Sequence, residues 1–121
     1  MHKRYTSTRG FTVVELLVVI AVVAILALIT VFAFGNWRER TATTHVKSAL
    51  VSLSGSLEDY LNFNNEYPVS VPSTYDSTSE VTITYTRGTT TTYCAQGQST
   101  SVTSVMFVIT NASKDPQAGT C

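Results

Sequence analysis

Glu15 is the residue most able to do chemistry, because of where it sits. Val13 and Val14 precede it, Leu16 and Leu17 follow, and residues 16–34 carry no charge, with Thr30 their only polar side chain. An ionisable group inside an apolar span is expensive to insert and is a functional candidate by default. It would need a positive partner. Cleavage of the chain after Gly10 would create one, an α-amine on Phe11 four residues before Glu15. Such an amine has a pKa of about 7.7–8.0 and is mostly protonated near neutral pH. In an apolar medium the amine and the carboxylate would each lower the cost of burying the other. Within one chain the two share a helix face at i, i+4 spacing. Between chains, one subunit's Glu15 could capture the Phe11 amine of another. The spacing permits both pairings. Without cleavage, Glu15 would instead reach back toward the headgroups.

The element that must position Glu15 is the apolar run. Phe11 to Phe34 is 24 residues, about 36 Å as a helix, against a hydrocarbon core of about 30 Å. Signal-peptide cores are shorter, about 7–15 residues. A buried helix would need partner helices that the sequence does not offer, so the run is read as a membrane span. Lys3, Arg4 and Arg9 precede it with no acid among the first ten residues, which places that end on the cytoplasmic side.

The string Arg9-Gly10-Phe11-Thr12-Val13-Val14-Glu15-Leu16-Leu17-Val18-Val19-Ile20-Ala21 resembles the class III signal sequence of type IV pilins and pseudopilins. In that family a short basic leader ends in Gly, Phe starts the mature chain and Glu stands at its fifth position. The resemblance covers residues 1–34 closely and the remaining layout more loosely. It implies cleavage between Gly10 and Phe11 by a prepilin peptidase, methylation of the Phe11 amine, and a docking role for Glu15 and Phe11 in filament assembly. It further implies self-assembly into filaments, a pilus assembly ATPase and an inner-membrane platform protein as partners. Localisation follows as a single-pass inner-membrane protein before assembly and a cell-surface filament afterwards. Many relatives carry Pro where Phe32 stands here, and Gly35-Asn36 is the alternative soft spot. The role is either a major or minor pilus subunit or a pseudopilin of a type II secretion or competence system. A reading of another class is a single-span anchor whose head binds an extracellular ligand.

Past Gly35, Val46, Ala49, Leu50, Leu53, Leu57, Tyr60 and Leu61 recur at spacings of three and four, one apolar face of an amphipathic helix. One helix is therefore expected from about Thr12 to Phe63, with Trp37, Arg38 and Arg40 just beyond the span. Asn64-Asn65 and Tyr67-Pro68 should end it. Val81, Ile83 and Tyr85 alternate with threonines, as a half-buried strand does. Arg87-Gly88 reads as a turn, Thr90–Ala95 as a second strand, Val102–Thr110 as a third, and 111–121 as a loop. The expected fold is α+β: a long N-terminal helix packed on a small antiparallel β-meander. The expected segments are a cleaved leader 1–10, a span 11–34, an amphipathic continuation 35–63 and a head 64–121.

Cys94 and Cys121 both lie in the polar C-terminal region. Outside the membrane that region is oxidising, and the two are expected to pair. Free thiols or a metal pair are the alternatives, but no second Cys or His stands near either to complete a metal set.

No catalytic set is apparent, and no enzyme activity or cofactor is expected. Phosphate-loop and dinucleotide motifs are missing. Glu58 and Asp59 are adjacent on a helix and point apart. His2 falls in the leader, and His45 reads as an exposed surface residue. Asp115 is a thin basis for a calcium site, since calcium takes six to eight oxygens. Asn111-Ala112-Ser113 matches a glycosylation triplet. Net charge is zero, and no basic stripe supports direct nucleic-acid binding.

Overall fold

The computed structural model describes residues 10–121. The leader residues 1–9, with His2, lie outside the described residues. One helix, α1 (Val13–Asn64), precedes four strands: β1 (Val81–Thr89), β2 (Thr92–Ser99), β3 (Met106–Thr110) and β4 (Gln117–Ala118). The strands form one antiparallel sheet in the order β1-β2-β3-β4. This is the α+β architecture expected, a long helix and a meander. By internal contacts the chain divides after Gly35 into two compact units.

In the first unit every described residue is exposed. The apolar side chains from Leu16 to Phe34 surround the helix rather than forming a stripe. Such a helix is stable only when lipid or other protein covers it.

The second unit has its own core. Ala42, Val46, Ala49, Leu50, Leu53 and Leu57 form the buried face of α1. Against them pack Val81, Tyr93, Ala95, Val105 and Ile109 from the sheet and its loops, together with Tyr67. Fully burying a side chain such as Leu50 or Ile109 contributes about 1.5–3 kcal/mol. Gly97 on β2 permits the close approach of helix and sheet. A Cβ added there would lie 3.1 Å from Val46 Cγ1 and 3.2 Å from Leu50 Cγ.

The helix ends one residue later than expected. Asn64 Nδ2 donates to the Tyr60 carbonyl (3.0 Å). Asn65 adopts the left-handed conformation (φ 58°) and donates its N–H to the Leu61 carbonyl (2.7 Å), a helix-terminating motif that Asn tolerates. The chain then crosses to the sheet. Tyr67 N–H donates to the Thr90 carbonyl (2.8 Å), Arg87 donates to the Tyr67 carbonyl (2.7 Å), and Tyr85 O–H donates to the Pro68 carbonyl (2.8 Å). Tyr67 and Tyr93 meet edge to face, ring centroids 4.7 Å apart. Ser54 and Tyr93 satisfy each other's buried hydroxyls at 3.1 Å.

Three expectations for the head need correction. The first turn is not at Arg87-Gly88: β1 runs on to Thr89, Gly88 lies at a register shift, and the hairpin closes through Thr90-Thr91. Thr92 Oγ1 accepts the Thr89 N–H at 2.8 Å, so a threonine hydroxyl does the stabilising that a turn glycine was expected to do. The third strand starts at Met106, not Val102, because Val105 N–H donates back to the Val102 carbonyl (2.9 Å) and makes a turn of that stretch. The tail is not all loop: Gln117 and Ala118 pair with Val108 and Phe107. Cys94 and Cys121 form the disulfide that pins this tail to β2. A bridge closing a loop of that size stabilises by about 3–4 kcal/mol on the chain-entropy account.

Candidate functional site

The candidate site is the short approach to α1, Gly10 to Glu15. Thr12 is the N-cap and Glu15 is the third helical residue. Thr12 N–H donates to Glu15 Oε2 (3.0 Å), Thr12 O–H donates to the same oxygen (3.0 Å), and Glu15 N–H donates to Thr12 Oγ1 (3.2 Å). This is a capping box. It matters more beside lipid than in water, because a helix leaves its first N–H groups unpaired and a bilayer core offers them no partner. The box satisfies two of those donors and gives the Glu15 carboxylate two hydrogen bonds of its own. Leu16 N–H then donates to the Thr12 carbonyl (3.2 Å), and the regular helix begins.

Sequence reasoning selected Glu15 and Phe11 but missed Thr12. The signal was present, since Thr-x-x-Glu ahead of an apolar run is a helix-start pattern. The structure places Phe11 directly before the cap, 88% exposed. Gly10 is also exposed. A Cβ at Gly10 would meet nothing within 4 Å, and its φ lies outside the left-handed region. Among the described residues, neither sterics nor backbone conformation requires glycine there. A requirement for glycine at that position would therefore come from outside the fold.

Several of the head's titratable groups contact one another or the core. Glu58 accepts from Tyr67 O–H (2.8 Å) and faces Lys114 Nζ at 3.6 Å, while Asp59 is exposed. His45 is exposed, as expected, but Nδ1 is paired with Glu80, a contact the sequence did not suggest. Burial of the phenol pushes the Tyr93 pKa up, with its hydrogen bond to Ser54 opposing. Tyr67, Tyr75 and Tyr85 are raised for the same leading reason. Asp115 offers its backbone carbonyl to Ser113 O–H and Gln117 Nε2. Among the described residues, no group of three or more His, Cys, Asp or Glu is placed to hold a metal ion. Asn111 and Ala112 form the tight turn between Thr110 and Ser113, which exchange backbone hydrogen bonds at 3.2 Å.

Residues 6–31 match the family model described as the prokaryotic N-terminal methylation motif. No curated protein matches the chain significantly. The N-terminal resemblance to type IV pilins and pseudopilins is thereby shown for the segment that includes Gly10, Phe11, Thr12 and Glu15. Together with the fold, the motif supports a pilin-like protein anchored through its apolar helix.

Proposed function

We propose that the chain is the precursor of a filament subunit of the type IV pilus class, cut between Gly10 and Phe11 and assembled through α1. Water adds across the Gly10–Phe11 amide, leaving a carboxylate on Gly10 and an α-ammonium on Phe11. Methylation of that amine keeps its charge. The new cation then stands at the positive end of the helix dipole, where a cation is disfavoured and a carboxylate favoured. Glu15 is the acidic group in the first turn. In the isolated subunit its carboxylate is occupied by Thr12. In the filament it exchanges those two hydrogen bonds from uncharged donors for one from the Phe11 ammonium of another subunit, in which both partners carry charge.

The observation that carries this reading is the exposed, apolar first unit, whose only acid among the described residues is Glu15, next to the expected cut and inside a matched methylation motif. Every described residue of that unit is exposed, so a bundle of like segments would supply its cover once it leaves lipid. The peptidase, ATPase and platform protein follow from the same reading, as does the path from inner membrane to surface filament. So do the proposed segments: leader, span, amphipathic continuation and head.

Glu15→Val tests it. Membrane insertion and removal of residues 1–10 should proceed normally, while sheared filament yield falls at least tenfold. Wild-type filament yield from that variant would remove Glu15 from assembly.

A further inference from the structure

A groove of about 340 Å³ opens within the head between α1 and the segment leading into β1. We propose that it is a binding site for a neutral saccharide, an assignment independent of the filament reading. The size falls at the lower end of the range for small-molecule sites, about 300–1,000 Å³.

The lining chemistry selects the ligand. The hydroxyls of Ser48 and Ser52 lie along the helix wall, and Tyr75, Asp76 and Thr78 form much of the opposite one. Among the described residues, the side chains of these five make no hydrogen bond within the chain, so their polar atoms are open to a ligand. Ser, Thr and Tyr hydroxyls both donate and accept, and a carboxylate accepts two hydroxyl donors with charge assistance. The half-buried Tyr75 ring adds a flat apolar surface for the C–H face of a sugar ring. No Lys or Arg lines the groove, and the imidazole of His45 is held by Glu80. Phosphate or uronate groups would face Asp76 and Glu80 without compensation, which leaves uncharged sugars as the fitting class.

The wall is already fixed in place. Tyr75 N–H donates to the Pro72 carbonyl (3.0 Å), and the Glu80 carbonyl accepts from Thr100 N–H (3.0 Å) and its hydroxyl (3.1 Å). A site formed before binding loses less conformational freedom on binding.

The test uses full-length isotope-labelled protein in micelles of a detergent without a sugar headgroup. Methyl glycosides of glucose, galactose, mannose and N-acetylglucosamine are titrated to about 20 mM, a weak-binding range of roughly millimolar Kd, with glucuronate and calcium as comparisons. At least one neutral glycoside should shift backbone amides in 44–52 and 74–80. Asp76→Asn and Tyr75→Ala should each weaken that response at least tenfold, while Thr84→Ala on β1 leaves it unchanged. Each variant is checked for wild-type amide dispersion in the rest of the head. Absence of a response to every neutral glycoside overturns the proposal. So does a response to glucuronate or calcium alone, or one indifferent to both groove substitutions.

Discussion

Gly97→Ala probes the contact that joins α1 to the sheet. The added methyl would stand 3.1 Å from Val46 Cγ1, 3.2 Å from Leu50 Cγ and 3.4 Å from Ile83 Cδ1. Val46 Cγ1 is a methyl and Leu50 Cγ a branch carbon, both on side chains with no exposed surface, so they cannot swing into solvent. Overpacking of this kind costs about 1–3 kcal/mol. Alanine also restricts the unfolded chain and returns about 0.4–1 kcal/mol where the backbone is compatible, as it is here because φ is not in the left-handed region. The midpoints of these ranges give a net loss of about 1.3 kcal/mol, and a domain of 60–100 residues loses about 4–8 °C of Tm per kcal/mol. The head should therefore melt about 5–10 °C lower. The assay is near-ultraviolet circular dichroism of the tyrosine cluster during heating, on detergent-extracted protein with its disulfide intact. Gly55→Ala is the control: its Cβ meets nothing within 4 Å, and the substitution in a helix interior should raise Tm by a few degrees. A Gly97→Ala variant melting at or above the wild-type temperature would refute the proposed packing.

Two further outcomes follow from the same fold. The raised pKa values of Tyr67, Tyr75, Tyr85 and Tyr93, each led by burial, mean that the folded head holds phenolic protons more tightly than the unfolded chain. That contribution is fully present below the unfolded value of about 10 and is lost as pH rises above it. Absorbance titration near 295 nm should show part of the phenol ionising only together with loss of the near-ultraviolet signal, whereas smooth ionisation of every tyrosine around pH 10 in a still-folded head would count against the cluster. Gly10→Val should leave the head's melting temperature unchanged, because the position is open, yet abolish processing when the chain is expressed with a prepilin peptidase. Normal processing of that variant would contradict the proposed cut.

The helix was legible in the sequence because two local signals agreed over its length: an uninterrupted apolar run, then an apolar face at spacings of three and four. Its far end was legible to within a residue, since Asn65 takes up the left-handed conformation on its own. The alternation in Val81–Thr86 likewise gave β1. Places where a side chain replaced the usual backbone device were not legible. Thr92 closes the hairpin that Gly88 was expected to turn, and Ser99 Oγ accepts the Val102 N–H (3.2 Å) where a strand was expected. The two-residue β4 has no pattern of its own and follows the tail that the disulfide holds. At the candidate site, Glu15 stood out because an acid in an apolar run contradicts its surroundings. Thr12 did not, because its polarity looked ordinary until its hydroxyl was seen to share the carboxylate. The pairing of His45 with Glu80 spans 35 positions and depends on the loop's path, which residue types alone do not encode.

The most direct measurement is the intact mass of the protein extracted from membranes or filaments of a cell that natively makes it. A chain beginning at Phe11, ten residues shorter than the precursor and one methyl group heavier than the bare polypeptide, is the expected result. A mass that retains Met1 to Gly10 would contradict it, because the amine that Glu15 is proposed to capture would never form.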